Sequence, residues 1–171
     1  AGAERRVQLS GEAYFEVAKD AARPFVVEAG AARVRQYGTI FNINTYNDAA
    51  EVVLVSGAIG VSRENGAEVS LAPGQLAVCD EGIEVRDVDV LPYIAWTKGR
   101  FTFDDERLVD IAEDLMRWYD VEIEILDPEI ADMRFTGSVG RDQSIERIMN
   151  AISYTQNVRV EVKENKIEIF K

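Results

Sequence analysis

The spacing of apolar residues changes near residue 100, and this change restricts the possible folds more than any other feature of the sequence. Between Val7 and Val90, short runs of alternating apolar and polar residues are separated by Gly, Asn and Pro. Alternation with a period of two is typical of half-buried β-strands. Because no helical stripe interrupts these runs, the sequence predicts an all-β sandwich or a layered sheet for this part of the chain.

Turn signals separate several of the predicted strands. Asn65-Gly66 lies between two β-branched runs, and this dipeptide favours a tight hairpin because both central residues of the turn need positive φ. Ser56-Gly57 separates another pair of runs, and Pro73-Gly74 suits a type II turn. The predicted strands are therefore short and closely connected.

After residue 100 the apolar residues follow a helical period. A stripe with a spacing of 3.6 residues runs from Leu108 to Tyr119 and predicts a helix. Just before this stripe come Asp104, Asp105 and Glu106, which we interpret as the N-cap and as acids at the positive end of the helix dipole. A second stripe follows Ser144, a residue type that often caps helices.

Short alternating segments surround these two helices, in the order β-α-β followed by β-α-β-β. This order predicts two βα units side by side, so the expected fold class is mainly β plus α+β. We place the boundary at Trp96 to Arg100, which gives an all-β domain over residues 1–98 and a small α+β domain over residues 99–171. The predicted strands of the second domain are residues 101–103, 121–126, 135–139, 158–162 and 166–170.

The composition excludes several classes of function. The chain has no His, which excludes serine-triad catalysis and histidine metal sites. Its one cysteine, Cys79, cannot form an internal disulfide or a cysteine-rich zinc site, and its apolar neighbours predict a core residue. Nineteen bases against 31 acids give a formal charge of -12. Duplex nucleic acid is therefore a poor partner, because binding to it depends on Lys and Arg.

Acidic residues are the remaining candidates for catalysis or metal binding. General acid–base catalysis needs two carboxyls with different environments, whereas the pairs in this sequence are expected on strand surfaces or at a helix start. The acids around Asp127 do not have the spacing of a calcium loop. We therefore expect no catalytic residues, no metal and no cofactor. The pairs considered are Glu12 with Glu16, Asp87 with Asp89, and Asp104 with Asp105.

The negative charge is concentrated in the second domain. Residues 1–100 carry ten bases and fourteen acids, whereas residues 101–171 carry nine bases and seventeen acids. This excess is compatible with an acidic face for a basic partner and also with an ordinary solvated surface. Among the aromatic residues, Phe101, Phe103 and Tyr119 are predicted to lie in the core, and Trp118 at the edge of the helical stripe.

Short motifs occur in a fixed order along nearly the whole chain, and together they resemble the FecR family of envelope regulators. The C-terminal motifs resemble those of the C-terminal domain that accompanies the FecR domain. That C-terminal domain is itself similar to the short signalling domain of TonB-dependent receptors and secretins. The motifs are Gly11-Glu12-Ala13-Tyr14-Phe15-Glu16-Val17, Arg23-Pro24-Phe25-Val26-Val27, Gly38-Thr39-Ile40-Phe41-Asn42-Ile43, Ser56-Gly57 with Val61, Leu71-Ala72-Pro73-Gly74-Gln75, Ala95-Trp96 with Gly99-Arg100-Phe101, Arg117-Trp118-Tyr119-Asp120-Val121 and Phe135-Thr136-Gly137.

The resemblance implies the periplasmic part of a membrane-bound anti-sigma factor, whose parent protein crosses the inner membrane once. The implied partner is the signalling domain of an outer-membrane TonB-dependent transducer. A sigma factor and the membrane would be contacted only through a cytoplasmic segment and a membrane span that these 171 residues do not contain. Since the matching motifs mark turns and packing, the resemblance transfers no active site.

We predict that the second domain supplies much of the contact with the transducer. The candidate residues are Trp118 and the acids expected in the first helix, Asp105, Glu106 and Asp110. Addition of a strand to an open sheet edge is one possible mode of contact. Two alternatives remain open at this point, a structural module that forms oligomers in the envelope and a carbohydrate-binding β-sandwich.

Overall fold

The computed structural model describes residues 4–36, 38–47, 49–63, 66–156, 158–163 and 166–171. The chain divides into two compact units, Ala1–Ile94 and Ala95–Lys171. The short segment Ala95–Lys98, which the sequence analysis placed in the first domain, thus lies in the second unit.

Within its described residues, the first unit contains two five-stranded sheets and one short helix. Its elements are β1 (Arg5–Leu9), β2 (Glu12–Glu16), β3 (Phe25–Ala29), β4 (Ala32–Gln36), β5 (Ile40–Asn44), β6 (Ala50–Ser56), β7 (Ile59–Arg63), β8 (Val69–Leu71), β9 (Gln75–Cys79), β10 (Ile83–Asp87) and α1 (Leu91–Ile94). The strand order is β1-β3-β4-β7-β8 in one sheet and β10-β9-β6-β5-β2 in the other. Neighbouring strands are antiparallel except for the parallel pair β1 and β3.

The two sheets share one hydrophobic core, which their alternating residues build. Val27 and Val34 come from the first sheet and Phe41 and Leu54 from the second, and all four are fully buried. The ring of Phe41 stacks on that of Phe15, with 4.9 Å between the centroids. Each buried side chain of this size contributes roughly 1.5–3 kcal/mol. The predicted all-β sandwich is confirmed.

Cys79 lies at the end of β9 and is completely buried in this core. Burial raises the pKa of its thiol, because the apolar surroundings disfavour the thiolate. The prediction of a core cysteine is confirmed.

A tight turn joins β8 to β9 where the sequence predicted one. The Gln75 N–H donates to the Ala72 carbonyl at 3.1 Å, and Gly74 has a φ of 85°. A type II turn needs positive φ at its third residue, which glycine adopts without steric cost. The predicted turn at Asn65-Gly66 includes Asn65, which lies outside the described residues.

The part of the second unit that the structure describes contains two smaller sheets and two long helices. Its elements are a 3₁₀ turn (Ala95–Lys98), β11 (Arg100–Arg107), α2 (Leu108–Tyr119), β12 (Glu122–Ile125), α3 (Pro128–Ala131), β13 (Arg134–Gly140), α4 (Ile145–Gln156), β14 (Arg159–Lys163) and β15 (Lys166–Phe170). Strands β11 and β13 form an antiparallel ribbon. The other sheet has the order β12-β15-β14, with β12 parallel and β14 antiparallel to β15. The predicted βαβ-βαββ order is confirmed, and α3 is an additional helix.

Both helices bury the stripes that their sequences predicted. On α2, Leu108, Ile111 and Leu115 are completely buried, and on α4 Ile148 and Met149 are almost completely buried. These residues form one core with residues of both sheets. None of the helices in the described part of the chain has the length and apolar character needed to cross a bilayer.

The acids before α2 were wrongly predicted as a helix start. Asp104, Asp105 and Glu106 belong to β11, and α2 begins only after Arg107. The register of β11 with β13 shifts between Phe103 and Glu106, which identifies a β-bulge. Pairing with β13 resumes after the bulge and continues up to Arg107, and this long-range pairing outweighs the local preference of acids for a first helical turn.

Candidate partner-binding site

Trp118 lies at the end of α2 within a group of aromatic rings. The centroid of its ring is 4.0 Å from that of Phe101, and the Phe101 centroid is 6.3 Å from that of Tyr119. Phe101 is buried, whereas Trp118 and Tyr119 are partly buried. The predicted core position of Phe101 is confirmed, and Trp118 packs against the edge of the core.

The loop between β13 and α4 covers one side of these rings. The guanidinium of Arg141 lies 4.4 Å from the centroid of the Trp118 ring, a cation–π contact. The Tyr119 hydroxyl donates to the Gln143 carbonyl at 2.9 Å, and the Arg141 N–H donates to the Gly99 carbonyl at 2.8 Å. Burial raises the pKa of the Tyr119 hydroxyl, which favours the protonated form that donates this hydrogen bond. The loop thus holds Arg141 in place over Trp118.

Removal of this cation–π contact is expected to destabilise the second unit moderately. Arg141→Ala should lower its free energy of unfolding by about 0.5–2 kcal/mol, because the Trp118 ring loses its cation. Arg141→Lys should lose less, since it keeps the charge but not the planar group. Urea unfolding followed by tryptophan fluorescence measures the effect. If Arg141→Lys were destabilised as much as Arg141→Ala, the positive charge over the Trp118 ring would contribute nothing to stability.

Asp105 lies in the β-bulge of β11 and has an unusual backbone. Its φ is 53°, a conformation that residues other than glycine seldom adopt. Its N–H donates to the Thr136 hydroxyl at 3.0 Å, and Arg134 donates to both its carbonyl and its carboxylate. The carboxylate is 74% exposed, so the bulge turns this acid towards solvent.

Asp110 and Glu106 have other surroundings. Asp110 is in the first turn of α2, where it accepts two hydrogen bonds from Arg107 at 2.8 Å. Glu106 is half-buried on β11 and lies opposite Phe135 of β13. The four predicted binding residues are therefore spread over a bulge, a helix start and an aromatic cluster. Asp105, Asp110 and Trp118 each have a different arginine partner.

Arginines also offset the acids further along α2. Arg117 pairs with Asp114 and lies 3.9 Å from Glu113, at the helical spacings of three and four residues. Burial raises the pKa of the Asp114 carboxyl, and the adjacent Arg117 reduces this effect. The negative charge of these acids on α2 is thus partly offset by arginines that lie next to them. Sequence reasoning missed the arginine partners, because most of them come from other elements.

The carboxylate pairs considered for catalysis make ordinary structural contacts. Glu12 accepts a hydrogen bond from the Asn42 side chain at 2.8 Å, and Asp87 accepts one from Gln75 at 3.1 Å. In the described part of the chain, no group of three or more Cys, Asp or Glu residues is arranged to hold a metal ion. Glu12 and Asp87 thus each take part in a side-chain hydrogen bond within the first unit.

Comparison with known families identifies the two units. Residues 1–60 match the family FecR protein, and residues 100–169 match the family FecR, C-terminal. The chain belongs to the FecR family. The first match falls within the first unit and the second match within the second unit.

Solved structures similar to this FecR-family chain support the same relationship. Two crystal structures of a putative anti-sigma factor from Parabacteroides distasonis ATCC 8503, at 1.65 and 2.50 Å resolution, have TM-scores of 0.87 and 0.86 with it. Each is 28% identical in sequence; the alignments cover 99% of this chain and 82% and 81% of theirs. No curated protein matches the chain.

Proposed function

We propose that this FecR-family chain is the periplasmic portion of a membrane-bound anti-sigma factor that receives a signal from an outer-membrane TonB-dependent transducer. The observation that carries the proposal is the pair of FecR matches, in order, on two units that together resemble a putative anti-sigma factor over 99% of the chain. The parent protein would cross the inner membrane once and control an extracytoplasmic-function sigma factor through a segment outside these 171 residues.

The proposed mechanism is a binding equilibrium without catalysis. The transducer can change the output of the regulator only through contacts that differ between its nutrient-bound and free states. The second unit is the proposed contact, because it carries most of the negative charge and the partly exposed Trp118. Aromatic residues of this kind often contribute most of the binding energy at protein interfaces.

The test is a titration of the whole chain with the signalling domain of the TonB-dependent transducer encoded beside the parent gene. We expect saturable binding that Trp118→Ala weakens at least about tenfold, since a central aromatic contact typically contributes more than 1.4 kcal/mol. Tyr154→Ala is the matched control, because Tyr154 is 90% exposed on α4. Absence of detectable binding at a concentration of about 100 μM would contradict the proposal, because the dissociation constant would then be too high for a specific signalling complex.

A further inference from the structure

The edge strands of the described sheets differ in how well they are protected against pairing with another chain. Charged side chains on an edge strand, or a very short edge strand, discourage such pairing. Strand β8 has only three residues, and the other described edge strands carry two or more charged residues each, with one exception. The charged residues of these other edge strands are Arg5 and Arg6 of β1, Glu12 and Glu16 of β2, Glu84, Arg86 and Asp87 of β10, Arg100 and Asp104 to Arg107 of β11, Glu122 and Glu124 of β12, and Arg159, Glu161 and Lys163 of β14.

Strand β13 is the exception among the described edge strands. After Arg134 its residues are uncharged, and no proline or lysine interrupts them. Thr136, Gly137 and Ser138 are all exposed. Among the described strands, β11 and β13 form a ribbon of only two, and a sheet of this size commonly gains stability from a third strand. The edge of β13 is therefore open to strand addition.

The hydrogen-bond pattern tells which backbone groups of β13 face away from β11. The Arg141 N–H donates to the carbonyl of Gly99, so these two opposite residues form a hydrogen-bonded pair. Because such pairs alternate along an antiparallel ladder, Val139 with Phe101 and Gly137 with Phe103 are the next hydrogen-bonded pairs. In an antiparallel ladder the intervening residues direct their N–H and C=O groups outwards. Thr136 and Ser138 thus present two donors and two acceptors to the open edge, at the spacing that an added strand requires.

The side chains along this edge leave room for another strand. A Cβ atom built at Gly137 would meet no atom within 4 Å, so the face of the ribbon is uncovered at the middle of β13. The Ser138 hydroxyl is held by the ribbon, where it accepts from Arg100 at 2.9 Å and donates to the Phe101 carbonyl at 3.0 Å. Neither the Ser138 hydroxyl nor Gly137 therefore blocks the outward N–H groups of Thr136 and Ser138.

We propose that the open edge of β13 binds an extended, non-acidic strand of the transducer's signalling domain by strand addition at Thr136 and Ser138. This inference rests on the proposed function and assigns the contact to one edge. The net charge of this part of the chain favours a non-acidic occupant. Residues 101–171 carry nine bases and seventeen acids, so an acidic strand is repelled. A second copy of the chain, which also carries a charge of -12, is disfavoured for the same reason.

The test compares Ser138→Pro with Ser138→Ala in the whole chain, titrated with the same signalling domain. Proline removes the outward N–H and leaves the bonds to β11, whereas alanine removes only the hydroxyl. We expect Ser138→Pro to weaken binding about tenfold or more, because it leaves a partner carbonyl unpaired, and Ser138→Ala to bind like the wild type. Tryptophan fluorescence checks that both variants are folded.

Hydrogen exchange of the wild-type chain keeps the test independent of the proline variant. In the complex, the Thr136 and Ser138 amides should become protected while those on the open edge of β14 continue to exchange. Wild-type binding that leaves both amides and both variants unaffected would overturn the β13 proposal but not the proposed function. Complete absence of wild-type binding would overturn the proposed function itself. A dimer of the chain alone that Ser138→Pro dissociates would identify a second copy as the occupant and would also overturn the proposal.

Discussion

Replacement of Leu115 by alanine is expected to lower the free energy of unfolding of the second unit by about 2–5 kcal/mol. Leu115 is completely buried in the core that α2 forms with α4 and both sheets. Removal of its side chain takes away apolar contacts and leaves a cavity. A domain of this size typically has only about 5–15 kcal/mol of stability, so the loss is a large fraction of the total.

The two tryptophans allow this effect to be measured in the second unit alone. Trp96 and Trp118 are the only tryptophans of the chain, and both lie in Ala95–Lys171. Urea unfolding followed by their fluorescence should therefore show a lower midpoint for Leu115→Ala. Leu126→Ala is the matched control, because Leu126 is 49% exposed and should lose less than about 1 kcal/mol. Equal midpoints for the two variants would contradict the assignment of Leu115 to the core.

Periodicity was sufficient to predict those elements whose burial repeats regularly. The stripe from Leu108 to Tyr119 predicted the buried face of α2, because this face of a helix recurs every 3.6 residues. The runs of period two predicted the strands of the first unit in the same way, since alternate residues face the shared core. Pro73-Gly74 predicted its turn because the required φ is a property of the residues themselves.

The sequence failed where distant contacts determine the backbone. Asp104 and Asp105 have the composition of a helix start, but pairing of β11 with β13 makes them a bulge in a strand. The position of Arg141 over Trp118 depends on a loop more than twenty residues away, and no local pattern indicates it. The open edge of β13 likewise becomes visible only when the neighbours of every strand are known. These features determine the candidate site, so the site was less predictable than the fold.

Gly38 is a residue of the first unit at which a single methyl group is expected to have a large effect. It belongs to the Gly-Thr motif of the family resemblance and lies just before β5, with a φ of 128°. A Cβ atom at this position would lie 2.7 Å from the Cα atom of Lys19. Since the obstructing atom is backbone, it cannot move aside by a change of rotamer. Gly38→Ala therefore combines backbone strain with a steric clash.

We expect Gly38→Ala to lower the free energy of unfolding of the first unit by about 2–5 kcal/mol, the sum of the cost of backbone strain and the cost of the steric clash.

Alanine variants of two other glycines serve as controls that separate these two costs. Gly74 has a φ of 85° but open space around its Cβ position, so Gly74→Ala should lose only the conformational part, about 1–2 kcal/mol. Gly82 has open space and an ordinary φ, so Gly82→Ala should change stability by less than about 0.5 kcal/mol. Urea unfolding followed by far-ultraviolet circular dichroism measures the series. A Gly38 variant no less stable than the Gly74 variant would mean that Lys19 does not restrict this position, and that the glycine of the motif is needed for its φ alone.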